Sequence, residues 1–215
     1  MQTTIRPTLP EQTRNFAKSI MDRYLGETIV QKWVRQGRPL PPPHQVKQAV
    51  IEEYRQRYGC RVLVETGTFL GDMVEAHLRH FDAIISIELS KVFYEKACYR
   101  FRNAAHVTIY EGDSGAVLPQ VMRTLRQPAI FWLDGHYSSG ETVKGDKDCP
   151  IFDELSAIFN QRNRQDHVLL IDDARHFVGE GDYPTVAAVR EFIQGCDGRY
   201  RVEVKDDIIR ATVEH

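Results

Sequence analysis

From Gly59 onward the hydrophobic residues fall into short β-branched runs, each followed by a stretch whose apolar positions recur at helical spacing. This pattern predicts strands at Arg61–Glu65, Ala83–Glu88, Val107–Glu111, Ala129–Asp134, Val168–Asp172, Arg199–Lys205 and Ile208–Val213. Helices fit Gly71–His80, Lys91–Asn103, Ser114–Leu125 and Pro150–Asn163 between the first five strands, and Pro184–Gly195 before the last two. Strand and helix alternating in this way is the signature of a parallel sheet with helical crossovers. The last two strands are close enough in sequence to form an antiparallel hairpin or a neighbouring pair.

The N-terminal part reads differently. Phe16, Ile20, Tyr24, Ile29, Trp33 and Val34 have roughly helical spacing between Pro10 and Gly37, and Gly37 with Pro39 stops that helix. Pro41 to Pro43 form a stiff connector. A second helix is expected from His44 to about Tyr58, with Val46, Ala49, Val50, Ile51 and Tyr54 on one face. The organisation expected is an N-terminal helical extension, residues 1–58, and one α/β domain, residues 59–215. The apolar face from Phe16 to Val34 can dock on its own core or on a second copy, as a homodimer.

At 215 residues the chain has room for one well-buried α/β domain with attachments. Its net charge of -2 and pI near 6.4 give no basic field of the kind a general nucleic-acid binder needs. No apolar run approaches the ~20 residues of a membrane helix, and the first residues lack the apolar core of a secretory signal. A cytoplasmic protein with neither a membrane nor a nucleic-acid partner is expected. The four cysteines are scattered, without a C-x-x-C pair, and read as free, mostly buried thiols.

Ligands of an open α/β sheet sit beyond the carboxyl ends of the strands, and these positions are acidic here: Glu65, Glu88, Asp113, Asp134, Asp172 and Asp173. After the first strand comes Glu65-Thr66-Gly67-Thr68-Phe69-Leu70-Gly71, in which Gly67 suits a tight turn and Gly71 a close helix start. The middle glycine of a dinucleotide loop is absent, as is a nucleoside-triphosphate loop. Glu88 lies about 20 residues further on, the place where a carboxylate can accept from both hydroxyls of a ribose. Asp113 and Ser114 follow the third strand and suit either a helix cap or an adenine edge.

With E-T-G-T-x-x-G, a distal Glu88 and the G-D-S loop in order, residues 59–215 resemble class I S-adenosylmethionine-dependent methyltransferases. The resemblance implies a Rossmann-like doubly wound α/β sheet of seven strands, order 3-2-1-4-5-7-6, with the last strand antiparallel. It also implies that Glu65, Thr66, Gly67, Thr68 and Gly71 lie beside the methionine part of S-adenosylmethionine, with Glu88 at the ribose and Asp113 and Ser114 at the adenine. Asp134, after the fourth strand, joins this set.

Asp134, Asp172 and Asp173 come from adjacent strand ends, and three carboxylates do not readily share a small space without a cation. Oxygen ligands suit Mg²⁺ or another hard divalent ion. This arrangement resembles the metal-dependent O-methyltransferases of the catechol and macrocin types, and implies a small-molecule hydroxyl as methyl acceptor. In a plainer reading, Asp172 and Asp173 cap the following turn and Asp134 meets the cofactor without metal.

His136, two residues past Asp134, and His176, four past Asp172, are the candidate general bases, imidazole titrating near neutrality. Arg175 is placed to orient an anionic substrate. The Gly- and charge-rich stretch from His136 to Cys149 suits a substrate loop or a plain exposed one. It lacks the lysine that catechol-type enzymes carry soon after the fourth-strand acid. Two other readings stay open: a non-catalytic protein that binds S-adenosylmethionine, and a metal-dependent glycosyl or phosphoryl transferase using the same acidic cluster.

Overall fold

The computed structural model describes residue 26 and residues 28–135, 149–160 and 165–214. The chain divides into two compact units between Lys47 and Gln48. In the first, residues 28–35 are helical (α1) and the buried Trp33 donates its indole N–H to the carbonyl of Pro39 at 2.8 Å. The segment of the expected first helix from Pro10 to Leu25 lies outside the described residues. Helix α2 (His44–Tyr58) runs across the division.

The second unit is built on seven strands: β1 (Val62–Thr66), β2 (Ala83–Glu88), β3 (Val107–Glu111), β4 (Ala129–Leu133), β5 (Val168–Ile171), β6 (Tyr200–Lys205) and β7 (Ile208–Val213). Their order is β3-β2-β1-β4-β5-β7-β6. The first five are parallel, and β7 runs antiparallel to both β5 and β6. The expected topology is therefore the observed one. Crossovers are made by α3 (Asp72–His77), α4 (Lys91–Arg100), α5 (Ser114–Thr124) and α6 (Ile151–Phe159), and α7 (Val186–Cys196) precedes β6.

Every residue of β1, β4, β5 and β7 is buried, because helices cover both faces of the sheet. Successive side chains alternate between those faces. Val62, Val64, Phe131, Leu133, Leu169 and Ile171 meet Leu118, Leu155, Val189 and Ile193 of α5, α6 and α7 on one side. Leu63, Ile84, Ile130, Trp132, Val168 and Leu170 meet Ile51, Tyr54, Val74 and Ala97 of α2, α3 and α4 on the other. This double anchoring fixes strand register, since a shift of one residue would exchange the faces.

Two differences from the sequence expectation affect the site. β4 and β5 end one residue early, at Leu133 and Ile171; the N–H groups of Asp134 and Asp172 make the last rungs of the parallel ladders, to the carbonyls of Thr66 and Leu133. A short 3₁₀ turn, Ala174–His176, which periodicity does not reveal, follows Asp173. The four cysteines are free, and burial pushes the thiols of Cys60 and Cys149 up to about 11. Among the described residues, no helix is long and apolar enough to cross a membrane.

Candidate active site

The loop after β1 is shaped by backbone geometry. Gly67 has a φ of 85°, and a Cβ there would lie 2.4 Å from the carbonyl oxygen of Asp134. Only a residue without a side chain lets the β1 and β4 ends come this close. Phe69 also has positive φ, 48°, uncommon for a bulky residue. Glu88 over-determines it: Oε2 accepts the N–H of Phe69 at 2.7 Å, while Oε1 accepts that of Ser90 at 2.8 Å. Ring contact with Phe93, centroids 4.7 Å apart, holds Phe69 from the side. Strained backbone of this kind collects at ligand-binding loops.

Thr66, the last residue of β1, and Thr68 in the loop are both buried. Thr66 Oγ1 accepts the N–H of Asp134 at 3.1 Å, and Thr68 Oγ1 lies 2.6 Å from Ser86 Oγ. Ser86 in turn donates to Oε2 of Glu65 at 2.5 Å. Burial pushes the Glu65 carboxyl up to about 8, reinforced by the nearby Asp134 and Glu88 and opposed by the Ser86 hydrogen bond. At neutral pH Glu65 is thus largely a neutral acid, wired through Ser86 to the loop. Ser86 is a position the sequence reading missed, although a hydroxyl between Ile85 and Ile87 in a buried strand asks for a partner.

Asp113 caps α5, its side chain accepting the N–H of Ala116 at 3.2 Å. The adjacent Ser114 donates to Oε1 of Glu154 at 2.6 Å. Glu154, 2% exposed, is a further residue that sequence reasoning missed. Its signal was present: Glu154 occupies the apolar face of α6 with Ile151, Leu155 and Ile158, where a charge is out of place. A Cβ on Gly135 would lie 2.9 Å from this same Oε1 and 3.1 Å from Thr66 Oγ1. The β1, β3 and β4 loops and α6 therefore meet around Gly135.

On the adjacent side, carboxylate oxygens of Asp134, Asp172 and Asp173 all lie within 4.8 Å of one another. Asp172 is fully buried, and Asp134 and Asp173 are half-buried. Asp173 adopts a left-handed conformation with φ 53°, and its N–H bonds to Oδ1 of Asp172 at 2.8 Å. Arg175 holds it there, with Nη1 donating to Asp173 Oδ1 at 2.8 Å and to Oδ2 of Asp207. Asp207, in the β6–β7 turn, also accepts the N–H of Arg175 at 2.8 Å, and its carbonyl accepts the N–H of Ala174 at 2.8 Å. Arg175, expected to orient substrate, is thus engaged with protein carboxylates. The bridge to Asp207 was not legible, since it joins residues more than 30 positions apart.

His176 is exposed and its ring lies 5.9 Å from that of Tyr183. It is not among the residues whose ligand atoms converge with the three aspartates. His136 and the loop to residue 148 lie outside the described residues.

No protein-family model matches the sequence, and no curated protein matches it. Solved structures do. An O-methyltransferase from Bacillus cereus in complex with SAH aligns with a TM-score of 0.56 at 16% identity, over 88% of this chain and 90% of that one. The O-methyltransferase TomG from Streptomyces achromogenes, involved in tomaymycin synthesis and bound to SAM, aligns at 0.54 and 19% identity, over 96% and 100%. The SAH-bound methyltransferase PaMTH1 from Podospora anserina aligns at 0.55 and 15%, over the full length of both chains. Together with the strand order and the antiparallel β7, these alignments show that the chain has the fold of class I S-adenosylmethionine-dependent methyltransferases.

Proposed function

We propose that this protein transfers a methyl group from S-adenosylmethionine to a hydroxyl of a small molecule, assisted by a divalent cation held by Asp134, Asp172 and Asp173. The observation that carries this reading is the convergence of those three carboxylates at the ends of β4 and β5. The O-methyltransferases of like fold, one with SAM bound and one with SAH, support the cofactor.

The donor set fits a hard cation. Three carboxylates within 4.8 Å, one of them fully buried, repel one another when ionised. Arg175 offsets one charge and leaves room for Mg²⁺, which takes oxygen ligands. Bound at the site, S-adenosylmethionine supplies a sulfonium methyl open to in-line displacement by a hydroxyl, and the cation lowers that hydroxyl's pKa.

The chain's own part is alignment. A carboxylate offers about four lone-pair directions; Glu88 uses two on backbone N–H groups and keeps the others for a ribose diol. Gly67 and Gly135 let the β1 and β4 loops pack closely beside Asp134, where the methionine part of the cofactor would lie. Asp113 and Ser114 flank the adenine side. His136 and His176 are the candidate proton acceptors for the hydroxyl, a role that contributes roughly 10²- to 10⁴-fold. Positioning contributes several kcal/mol more, on the order of 7–11 kcal/mol at best.

The test is transfer of a labelled methyl group to a panel of phenols, catechols and sugars, with and without a chelator. Methyl ethers formed with Mg²⁺, lost on chelation and restored by added Mg²⁺, are expected. Cofactor binding with no transfer to any hydroxyl would favour a non-catalytic binder, and transfer indifferent to chelation would remove the metal from the account.

A further inference from the structure

On the face of the sheet covered by α2, α3 and α4, a second set of side chains converges, away from the three aspartates. Glu52 of α2, His77 at the end of α3 and His80 in the turn after it offer ligand atoms that all lie within 4.8 Å of one another. His77 is 1% exposed, and His80 and Glu52 are half-buried.

The spacing separates a metal site from a hydrogen-bond network. Nδ1 of His80 lies 3.4 Å from Nδ1 of His77 and 3.4 Å from Oε2 of Glu52. Both distances exceed the usual 2.7–3.2 Å of a hydrogen bond from nitrogen. They match the edge of a tetrahedron around Zn²⁺, about 3.3–3.4 Å for bonds of about 2.0–2.1 Å. Glu52 is also held as a metal carboxylate usually is, by further hydrogen bonds. Arg55 forks it, Nε to Oε2 at 2.7 Å and Nη2 to Oε1 at 2.8 Å, and Gln56 donates to Oε1 at 2.6 Å. Oε2 therefore keeps one free acceptor direction on the side facing His80.

We propose that Glu52, His77 and His80 form a binding site for a borderline-soft divalent metal, Zn²⁺ above all, with a water as fourth ligand. Two imidazoles and one carboxylate suit Zn²⁺ and exclude Mg²⁺, which takes oxygen ligands. The Arg55 guanidinium, paired with the same carboxylate, offsets part of its charge and so lowers its attraction for the metal. The metal would act as a staple: it joins α2 to α3, and α3 begins immediately after Gly71 of the candidate cofactor loop.

Cobalt(II) titration of the full chain provides the test, because a nitrogen-ligated tetrahedral ion absorbs strongly in the visible and an all-oxygen octahedral ion does not. One equivalent of Co²⁺ should give intense visible bands that Zn²⁺ abolishes, in the wild type and equally in Asp172→Asn. The bands should be lost in His80→Asn and in Glu52→Gln. Zn²⁺ should raise the thermal midpoint of the wild type and leave that of His80→Asn unchanged. His80 lies outside the helices and is partly exposed, so an unchanged far-ultraviolet spectrum will show that this variant folds. No intense bands in the wild type, bands that survive both substitutions, or bands lost in Asp172→Asn would each overturn the proposal.

Discussion

The close approach of the β1 and β4 loops at Gly67 makes a quantitative prediction for Gly67→Ala. The new methyl would meet two backbone atoms of Asp134, the carbonyl oxygen at 2.4 Å and the carbonyl carbon at 3.0 Å. Neither can swing aside as a side-chain end could. A left-handed conformation costs a residue with a Cβ about 1–2 kcal/mol, and forcing a methyl into filled space adds about 1–3 kcal/mol. The sum is a loss of about 2–5 kcal/mol. Gly59→Ala isolates the first part, because Gly59 has a φ of 65° and a Cβ there meets nothing within 4 Å. That variant should lose only about 1–2 kcal/mol. Urea unfolding of the three proteins gives both differences, with equal m-values confirming that the denatured state is unchanged. The displaced carbonyl belongs to a proposed metal ligand, so Gly67→Ala should also weaken Mg²⁺ binding and Gly59→Ala should not. Equal losses of stability in the two variants would refute the steric argument.

Two buried titratable groups and one ion-pair bridge give further predictions. Burial holds the His167 imidazole down at about 4, with Nδ1 accepting the N–H of Ala129. The unfolded chain takes up this proton near pH 6.5 and the folded chain only near 4, so the stability is full above pH 6.5 and is lost as pH falls towards 4. The amount is about 3 kcal/mol, and His167→Gln should flatten the unfolding free energy over that window; an unchanged slope would count against it. Glu65 has the opposite sign: the unfolded carboxyl ionises near 4.5 and the folded one near 8, so stability falls as pH rises between them. Glu65→Gln should become progressively more stable than the wild type across that range, which thermal melts at pH 5 and pH 8 will check. Asp207→Asn should loosen Arg175 from its bridge to Asp173 and weaken Mg²⁺ binding about tenfold or more, a result that calorimetry of Mg²⁺ alone can deny.

The architecture was legible because short apolar, largely β-branched runs such as Ala83–Glu88 and Ile208–Val213 alternate with helical stretches, and the glycines and acids mark their ends. Topology followed from the loop motifs rather than from periodicity, which does not say which strands are neighbours. The three aspartates were visible as strand-end acids, and their convergence follows from β4 and β5 lying side by side. What escaped was tertiary. Glu154 and Ser86 acquire their partners from other elements, Asp207 reaches Arg175 across the β5–β7 pair, and the hydroxyls of Thr66 and Thr68 meet Asp134 and Ser86. The pairing of Glu52 with His77 and His80 joins α2 to α3, a contact that no local pattern encodes.

Calorimetric titration of S-adenosylmethionine and then Mg²⁺ into the wild type and into Asp172→Asn tests the central claim most directly. The account predicts that both proteins bind S-adenosylmethionine, that the wild type then binds one Mg²⁺, and that Asp172→Asn loses at least about tenfold in Mg²⁺ affinity. A wild type that binds the cofactor but takes up no Mg²⁺, or an Asp172→Asn protein that binds Mg²⁺ equally well, would contradict it.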